Sequence, residues 1–420
     1  MENLLLVTAP EGNIVNGKVS LPASKSIANR VLIIRALSVQ GFNVHNLSDA
    51  EDTLILTRAL ESLGITPDIN AGHTGTAMRF LTAFLATRPG TYYLTGSERM
   101  KERPIGPLVS ALQHLGADIE YQGKAGFPPL KIKGKRLTGG KVDIDADTSS
   151  QFITSLLLIA PTFQEGLEIT LKGKPVSTSY IKMTLGLMSY FGIETRWERN
   201  VIQVSPGLYQ SKDITIEPDW SAASYFYEAL LLSEKGKIFF PMLSNESLQG
   251  DEVVWQWFDH LGITTTFSAE GATAEKTRGH PEFVSFGFNE NPDLAQTMAM
   301  AFAGRNIQAV FRGLETLPLK ETDRIKALQT ELAKLGYILA PREEGIWQLR
   351  KTSWPVLPGE ITFQTYHDHR MAMACAPLAL VKGQVDIRDP EVVGKSFPKF
   401  WECLRSTGFK LVYEPRPAKK

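Results

Sequence analysis

The feature that most constrains this chain is an internal repeat. Six times a helix-forming stretch ends at a glycine and is followed by a β-type run, as in ALESLGITPDI, ALQHLGADIEY and WFDHLGITTTF, with the glycines at Gly64, Gly116, Gly192, Gly262, Gly336 and Gly408. Glycine just past an amphipathic helix is the expected left-handed cap, and the β-branched and aromatic residues behind it favour an extended strand. A second series interleaves with the first: Ser24, Thr76, Ser150, Ser221, Asp293 and Asp368 each stand before a helix that is apolar on nearly every side. Such a helix must be buried, and a Ser, Thr or Asp at its start satisfies first-turn amides that have no partner within the helix.

Successive caps lie 52, 74, 71, 72 and 75 residues apart, and successive glycines 52, 76, 70, 74 and 72 apart. Two independent markers thus share one period, including a short first gap. A period near 70 is too long for a simple helical solenoid and fits an α+β unit with several strands, so three units per domain predict two similar domains. A chain of 420 residues, 43% hydrophobic and 21% charged, has the size and the globular composition for that plan. Extended, Pro-containing segments suggest crossings near 22–23 and 217–218. They predict a discontinuous domain of residues 1–21 and 219–420, to which the N-terminal strand returns, and a central domain of residues 24–216.

Lys and Arg number 45 and Asp and Glu number 45, so no overall field favours nucleic acid or an anionic membrane, and anion binding must come from local convergence of charge. The N-terminal stretch lacks the pattern of a signal peptide, and no apolar run approaches the ~20 residues of a membrane span, so a cytoplasmic protein is expected. The two cysteines, Cys375 and Cys403, lie in apolar segments without disulfide or metal-ligand spacing and read as inert core residues. Met298, Met300, Tyr225, Phe226 and Tyr227 likewise read as core packing.

The chemistry-bearing residues collect at the starts of the inner helices, where free N–H groups and the positive dipole end suit phosphate or carboxylate. Lys25 and Arg30 flank the first start, and Ser26 shares a helix face with Arg30. The second, with Gly72 and Gly75, lets backbone amides approach a ligand closely, and a basic loop holding Arg99, Lys101 and Arg103 follows it. The third offers Thr148, Ser149, Ser150 and Gln151, with Ser177 and Tyr180 beyond the next turn. In the second half Asp293 stands before the fifth inner helix, and Lys320 and Arg324 are expected on one side of a helix with Glu321 between them, a proton carrier if enclosed. Arg370 opens the last inner helix beside His367 and His369, for which no further ligand cluster suggests a metal, and Lys395 lies in Gly394-Lys395-Ser396, where a nucleotide-binding loop would need glycine at the position of Asp389. Each of these strings, taken singly, also fits a capped helix or a solvated turn.

Together and in this order SKSIANR, GTAMR, KETDR and DHRMAM resemble the 5-enolpyruvylshikimate-3-phosphate synthase family of enolpyruvyl transferases, and the resemblance spans essentially the whole chain. It implies an α/β fold of two similar domains, each of three βαβαββ repeats in an inverse α/β barrel, closing on substrates. It implies transfer of the enolpyruvyl group of phosphoenolpyruvate to the 5-hydroxyl of shikimate 3-phosphate with release of phosphate, on the route to chorismate and the aromatic amino acids, by a monomer with no metal or organic cofactor. Carried over by motif, the catalytic residues are Asp293, Glu321 and Lys25. Shikimate 3-phosphate falls to Lys25, Ser26, Arg30, Ser149, Ser150, Gln151, Ser177, Asp293 and Lys320, and phosphoenolpyruvate to Lys25, Gly75, Arg103, Gln151, Arg324, Arg370 and Lys395. His73 and Thr316 stand where the family commonly has Asn, which bears on single polar contacts. Gly75 is the small residue that the resemblance associates with glyphosate sensitivity. The alternatives are a UDP-N-acetylglucosamine enolpyruvyl transferase, whose mobile loop carries a reactive cysteine that Arg99 to Pro104 lack, and a catalytically silent anion-binding scaffold.

Overall fold

The computed structural model describes residues 3–146, 149–173, 175–353 and 361–414; Thr148, at the third helix start, lies outside them. The chain divides into a central unit, Ala23–Ile216, and a terminal unit made of Met1–Pro22 and Glu217–Lys420.

In the central unit three helices form the inner layer: α1 (Lys25–Leu37), α2 (Gly75–Thr87) and α3 (Ser150–Ile159). Ile27 to Ile34 of α1, Ala77 to Ala86 of α2 and Phe152 to Ile159 of α3 are buried without an exposed face, as their near-continuous apolar sequences require. Sheets cover them, and their strands alternate, so that Leu130 and Ile132 point inward while Lys131 and Lys133 do not. Asp68–Asn70, Gly90–Thr95, Leu130–Gly134 and Asp118–Tyr121 form one sheet, parallel in its first pair and antiparallel thereafter. Gly140–Asp145, Leu167–Lys172, Val201–Val204 and Thr195–Glu198 repeat that pattern. The third sheet is only a parallel pair, Val44–His45 with Ile214–Thr215. This explains the short first gap in sequence: the strand after Gly64, Asp68–Asn70, opens the next sheet instead of closing its own, and the antiparallel strand pair that follows the glycine in the other repeats has no counterpart here.

The terminal unit surrounds α4 (Trp220–Leu232), α5 (Ala295–Arg305) and α6 (His369–Cys375) with three four-stranded sheets. The N-terminal segment supplies a strand to two of them. Leu4–Thr8 lies between Gln384–Arg388 and Lys410–Glu414, antiparallel to both, and Ile14–Lys18 pairs in parallel with Lys235–Pro241. Each unit buries its own hydrophobic cluster.

All six repeat glycines have left-handed backbone, with φ between +80° and +107°. The helix starts differ from the sequence pattern. Ser24 and Asp368 do precede α1 and α6, but Thr74, Ser149 and Asp219, not Thr76, Ser150 and Ser221, stand before α2, α3 and α4. Ser149 Oγ accepts from the Gln151 amide and Asp219 Oδ1 from the Ala222 amide. These two oxygens reach amides two or three residues ahead, as a cap must, whereas the Thr74 side chain makes no such bond. Asp293 lies inside a 3₁₀ turn, Pro292–Leu294, that leads into α5. Met298, Met300, Tyr225, Phe226, Tyr227 and Cys375 are buried in the core, whereas Cys403 is only half-buried at its edge. Among the described residues no helix is long and apolar enough to cross a membrane.

Candidate active site

At the start of α1 the Lys25 ammonium donates to Asp52 Oδ2 at 2.7 Å, and the Thr74 hydroxyl donates to Asp52 Oδ1 at 3.0 Å. One carboxylate, in the first turn of helix Glu51–Glu61, therefore links the starts of α1 and α2. Ser26 lies in the same first turn of α1, and its carbonyl accepts from Arg30 Nη1 at 2.7 Å. Arg30 is 3% exposed, donates Nε to Thr184 Oγ1 at 2.8 Å, and lies 5.6 Å from the Phe80 ring centroid. These partners are neutral, so burial lowers its pKa to about 10, with the Tyr180 phenol opposing.

Gly75 opens α2, and a Cβ built there would lie 2.8 Å from Nη1 and 2.9 Å from Nη2 of Arg103. Arg79, one turn on, donates Nη2 to the Pro104 carbonyl at 2.7 Å and so ties α2 to the basic loop. Gln151 at the start of α3 donates Nε2 to Thr76 Oγ1 at 3.5 Å, a long contact that joins α3 to α2. Ser150 is buried, and Ser177, buried with φ +54°, precedes helix Thr178–Tyr190. His73 Nε2 lies 3.5 Å from Glu51 Oε2. The central unit thus holds Lys25, Ser26, Arg30, Gly75, Arg103, Ser149, Ser150, Gln151 and Ser177, with Asp52 bridging the Lys25 and Gly75 segments and the Gln151–Thr76 contact joining the third.

The terminal unit holds the other six. Arg324, 1% exposed, donates Nη1 to Asp293 Oδ1 at 2.9 Å, Nη2 to Glu321 Oε2 at 2.9 Å and Nε to Asp368 Oδ2 at 2.8 Å. Burial pulls its pKa down, but Asp368, Glu321 and Asp293 together outweigh that and raise it. Arg370 Nη2 lies 2.8 Å from Asp293 Oδ2, and its Nη1 reaches the Tyr225 hydroxyl at 3.3 Å, so Tyr225 is core packing with one polar contact to the cluster. Lys320 approaches Asp293 at 4.0 Å, and burial lowers its pKa, with Asp293 opposing. Lys320 and Arg324 do not share a helix face: the helix begins at Arg324 behind the cap Asp323, and Lys320 precedes it in extended backbone. Lys395 ends the 3₁₀ segment Pro390–Lys395 and donates to the His367 carbonyl at 2.7 Å. The Thr316 hydroxyl is buried without a hydrogen-bond partner among the described residues.

Two partners carry no separate signal in the sequence. Asp52 sits in an acidic first turn, where carboxylates are favoured by the helix dipole alone, and Asp368 reads as a helix cap. It does both, accepting the Arg370 amide at 2.9 Å on Oδ1 and Arg324 on Oδ2.

Repeated α/β units that gather guanidinium, ammonium and free amide groups at the starts of buried helices, with carboxylates held among them, define a class of protein that binds small polyanions and can move protons on them. The family model described as EPSP synthase (3-phosphoshikimate 1-carboxyvinyltransferase) matches residues 10–70 and 67–404. A 3-phosphoshikimate 1-carboxyvinyltransferase of Bacteroides fragilis is 44% identical over 409 residues, covering 97% of this chain and 98% of its own, and one from Cellvibrio japonicus is 37% identical over 415 residues, covering 92% and 96%. Among solved structures, an EPSP synthase from Acinetobacter baumannii matches the fold with a TM-score of 0.77 over 98% of this chain and 100% of that one, at 22% identity. The chain belongs to the EPSP synthase family.

Proposed function

We propose that this chain transfers the enolpyruvyl group of phosphoenolpyruvate to the 5-hydroxyl of shikimate 3-phosphate and releases phosphate. The observation that carries the reading is the pair of carboxylates, Asp293 and Glu321, held by one buried guanidinium, Arg324, with Lys320 and Arg370 beside them. Addition and elimination at an enol carbon needs a group to take a proton from the attacking hydroxyl and another to deliver one to the methylene.

Asp293 takes the 5-hydroxyl proton as that oxygen bonds to C2 of phosphoenolpyruvate, and Glu321, protonated, gives its proton to C3. The resulting tetrahedral adduct loses phosphate as the C2–O bond to phosphate breaks: the Glu321 carboxylate takes back a C3 proton, restoring the double bond, and Asp293 passes the hydroxyl proton to the departing phosphate. Lys25 offsets charge on the bridging oxygen and the leaving phosphate, and acts chiefly where that charge develops. Ser149, Ser150 and Ser177 hold the shikimate phosphate, Ser26 and Arg30 the carboxylate side, and Lys25, Gln151, Asp293 and Lys320 the rest of the acceptor. Lys25, Gly75, Arg103, Gln151, Arg324, Arg370 and Lys395 receive phosphoenolpyruvate. Two anions repel each other and lose hydration on binding, which is why a net-neutral chain concentrates cations at these positions. Arg324 already gives each of its three nitrogens to a carboxylate, so only the second proton of each Nη remains for a ligand.

The protein is further taken to act as a monomer in the cytoplasm, which size-exclusion chromatography with light scattering and cell fractionation test. Phosphate release from phosphoenolpyruvate is the deciding assay. It is expected with shikimate 3-phosphate and absent with UDP-N-acetylglucosamine; the reverse selectivity, or silence with both acceptors, overturns the reading.

A further inference from the structure

The terminal unit buries one more carboxylate beside this cluster. Asp251, 5% exposed, lies in the 3₁₀ turn Gly250–Val253. Its Oδ2 accepts from Ser221 Oγ at 2.5 Å, in the first turn of α4, and its Oδ1 from Asn291 Nδ2 at 3.0 Å. Asn291 is buried as well and is the residue from which the turn carrying Asp293 starts. Its side chain makes no cap bond to that turn and gives its amide to Asp251 instead. The preceding Gln249 grips the start of α4, accepting from the Trp220 amide at 3.0 Å and donating to the Pro218 carbonyl at 2.7 Å. Gln249 and Asp251 thus join the first turn of α4 to the turn that carries Asp293.

The charged groups facing Asp251 are Asp293, from that turn, and Arg370, from the start of α6. On neighbouring segments Glu252 shares its own turn, and Asp219, the cap of α4, is engaged with the Ala222 amide. Burial pushes Asp251 up to about 6 and repulsion from Asp293 adds to this, while Ser221, Arg370 and Asn291 oppose it. Carboxylates coupled in this way titrate as a pair, and the charge on one strengthens the other as a base.

We propose that Asp251 is a positioning residue for the transfer: through Asn291 it fixes the turn that carries Asp293, and through its own negative charge it makes Asp293 a stronger base. This rests on the reading that Asp293 takes the 5-hydroxyl proton. When Asp251 is protonated, Asp293 keeps its place but binds a proton less tightly; when Asp251 ionises, proton abstraction gains driving force.

The test is kcat against pH, from about pH 5 to 8.5, at saturating shikimate 3-phosphate and phosphoenolpyruvate, for the wild-type chain, Asp251→Asn and Ser221→Ala. The wild-type kcat is expected to rise on the order of threefold to tenfold across the ionisation of Asp251. Asp251→Asn keeps the shape without the charge, so it stays on the low plateau, with each KM within about twofold of wild type. Ser221→Ala removes a bond that favours the ionised form and moves the rise to higher pH. Ionisation of the substrate phosphates is common to all three proteins and cancels in the ratios. A pH-independent ratio of wild type to Asp251→Asn overturns the inference alone; if that variant does not fold, a Ser221→Ala profile superimposable on wild type does the same. No phosphate release by the wild-type chain removes the functional reading, and this inference with it.

Discussion

Glu228 lies on α4 with its side chain fully buried and neither carboxylate oxygen hydrogen-bonded among the described residues. Burial raises its pKa well above the ordinary 4.5, so the folded chain holds this proton more tightly than the unfolded one. A raised folded pKa contributes stability that is fully present below the unfolded value and lost as pH rises toward the folded one. Glu228→Gln, nearly the same shape without the ionisation, is expected to melt with the wild type near pH 4 and about 2–4 °C above it at pH 8. Parallel melting curves at all pH values would show that the carboxyl carries no such penalty. Gly75 is constrained by a neighbour. The methyl of Gly75→Ala would meet both terminal nitrogens of Arg103 at under 3 Å, and the flexible guanidinium, not the backbone, has to move. On the role proposed for Arg103, displacing its guanidinium by a few tenths of an ångström to an ångström predicts a KM for phosphoenolpyruvate raised about tenfold, with the melting temperature nearly unchanged. Steady-state kinetics with a melting curve check both halves, and an unchanged KM would separate Arg103 from the donor's phosphate.

Among the elements, the outer-helix ends were the most legible in sequence, because only glycine takes a left-handed backbone without a side-chain penalty and all six chain positions demand it. The cost of replacing them was not legible, since it depends on what surrounds each cap. Gly116 and Gly262 share φ near +92°, yet a Cβ at Gly116 meets nothing within 4 Å whereas at Gly262 it falls 2.4 Å from the Arg278 carbonyl. Gly116→Ala should cost about 1–2 kcal/mol from backbone strain, and Gly262→Ala about 3 kcal/mol or more because backbone must also shift. Denaturant unfolding of the two variants compares them, and equal losses would mean that the Arg278 segment yields freely. Helix beginnings were less legible for a related reason. Thr74 and Thr76, or Ser149 and Ser150, are equally competent caps by type, and only the path of the incoming chain chooses between them. The site residues had the same limit. Their types and order pointed to anions, but the carboxylates that hold the cations, Asp52 for Lys25 and Asp368 for Arg324, come from separate segments that only folding brings in. Lys320 and Arg324 meet at Asp293 by a bend in the chain that a helical wheel does not contain.

At the scale of the whole chain, the terminal unit is interrupted by 194 residues, Ala23–Ile216, and resumes as though they were absent. The Asp219 amide donates to the Pro22 carbonyl at 2.9 Å, so the segment leaving the unit and the segment re-entering it meet. The terminal unit also owns a hydrophobic cluster that runs from Leu5 to Phe409 without a residue from the central unit. A break closed by one hydrogen bond needs only a short connection, and the entropy of closing a loop changes slowly with its length. Deleting residues 23–216 and joining Pro22 to Glu217 through a short Gly-Ser link is therefore expected to leave a cooperatively folding protein. In hydrogen exchange, Leu4–Thr8 and its partners Gln384–Arg388 and Lys410–Glu414 should remain protected, because this sheet is internal to the unit. The shortened protein should catalyse no transfer, since Lys25 and Arg103 are gone while Asp293, Glu321 and Arg370 remain. A non-cooperative melt with exchange at the unfolded rate would mean that the hydrophobic cluster of the terminal unit cannot hold its three sheets together without the central unit.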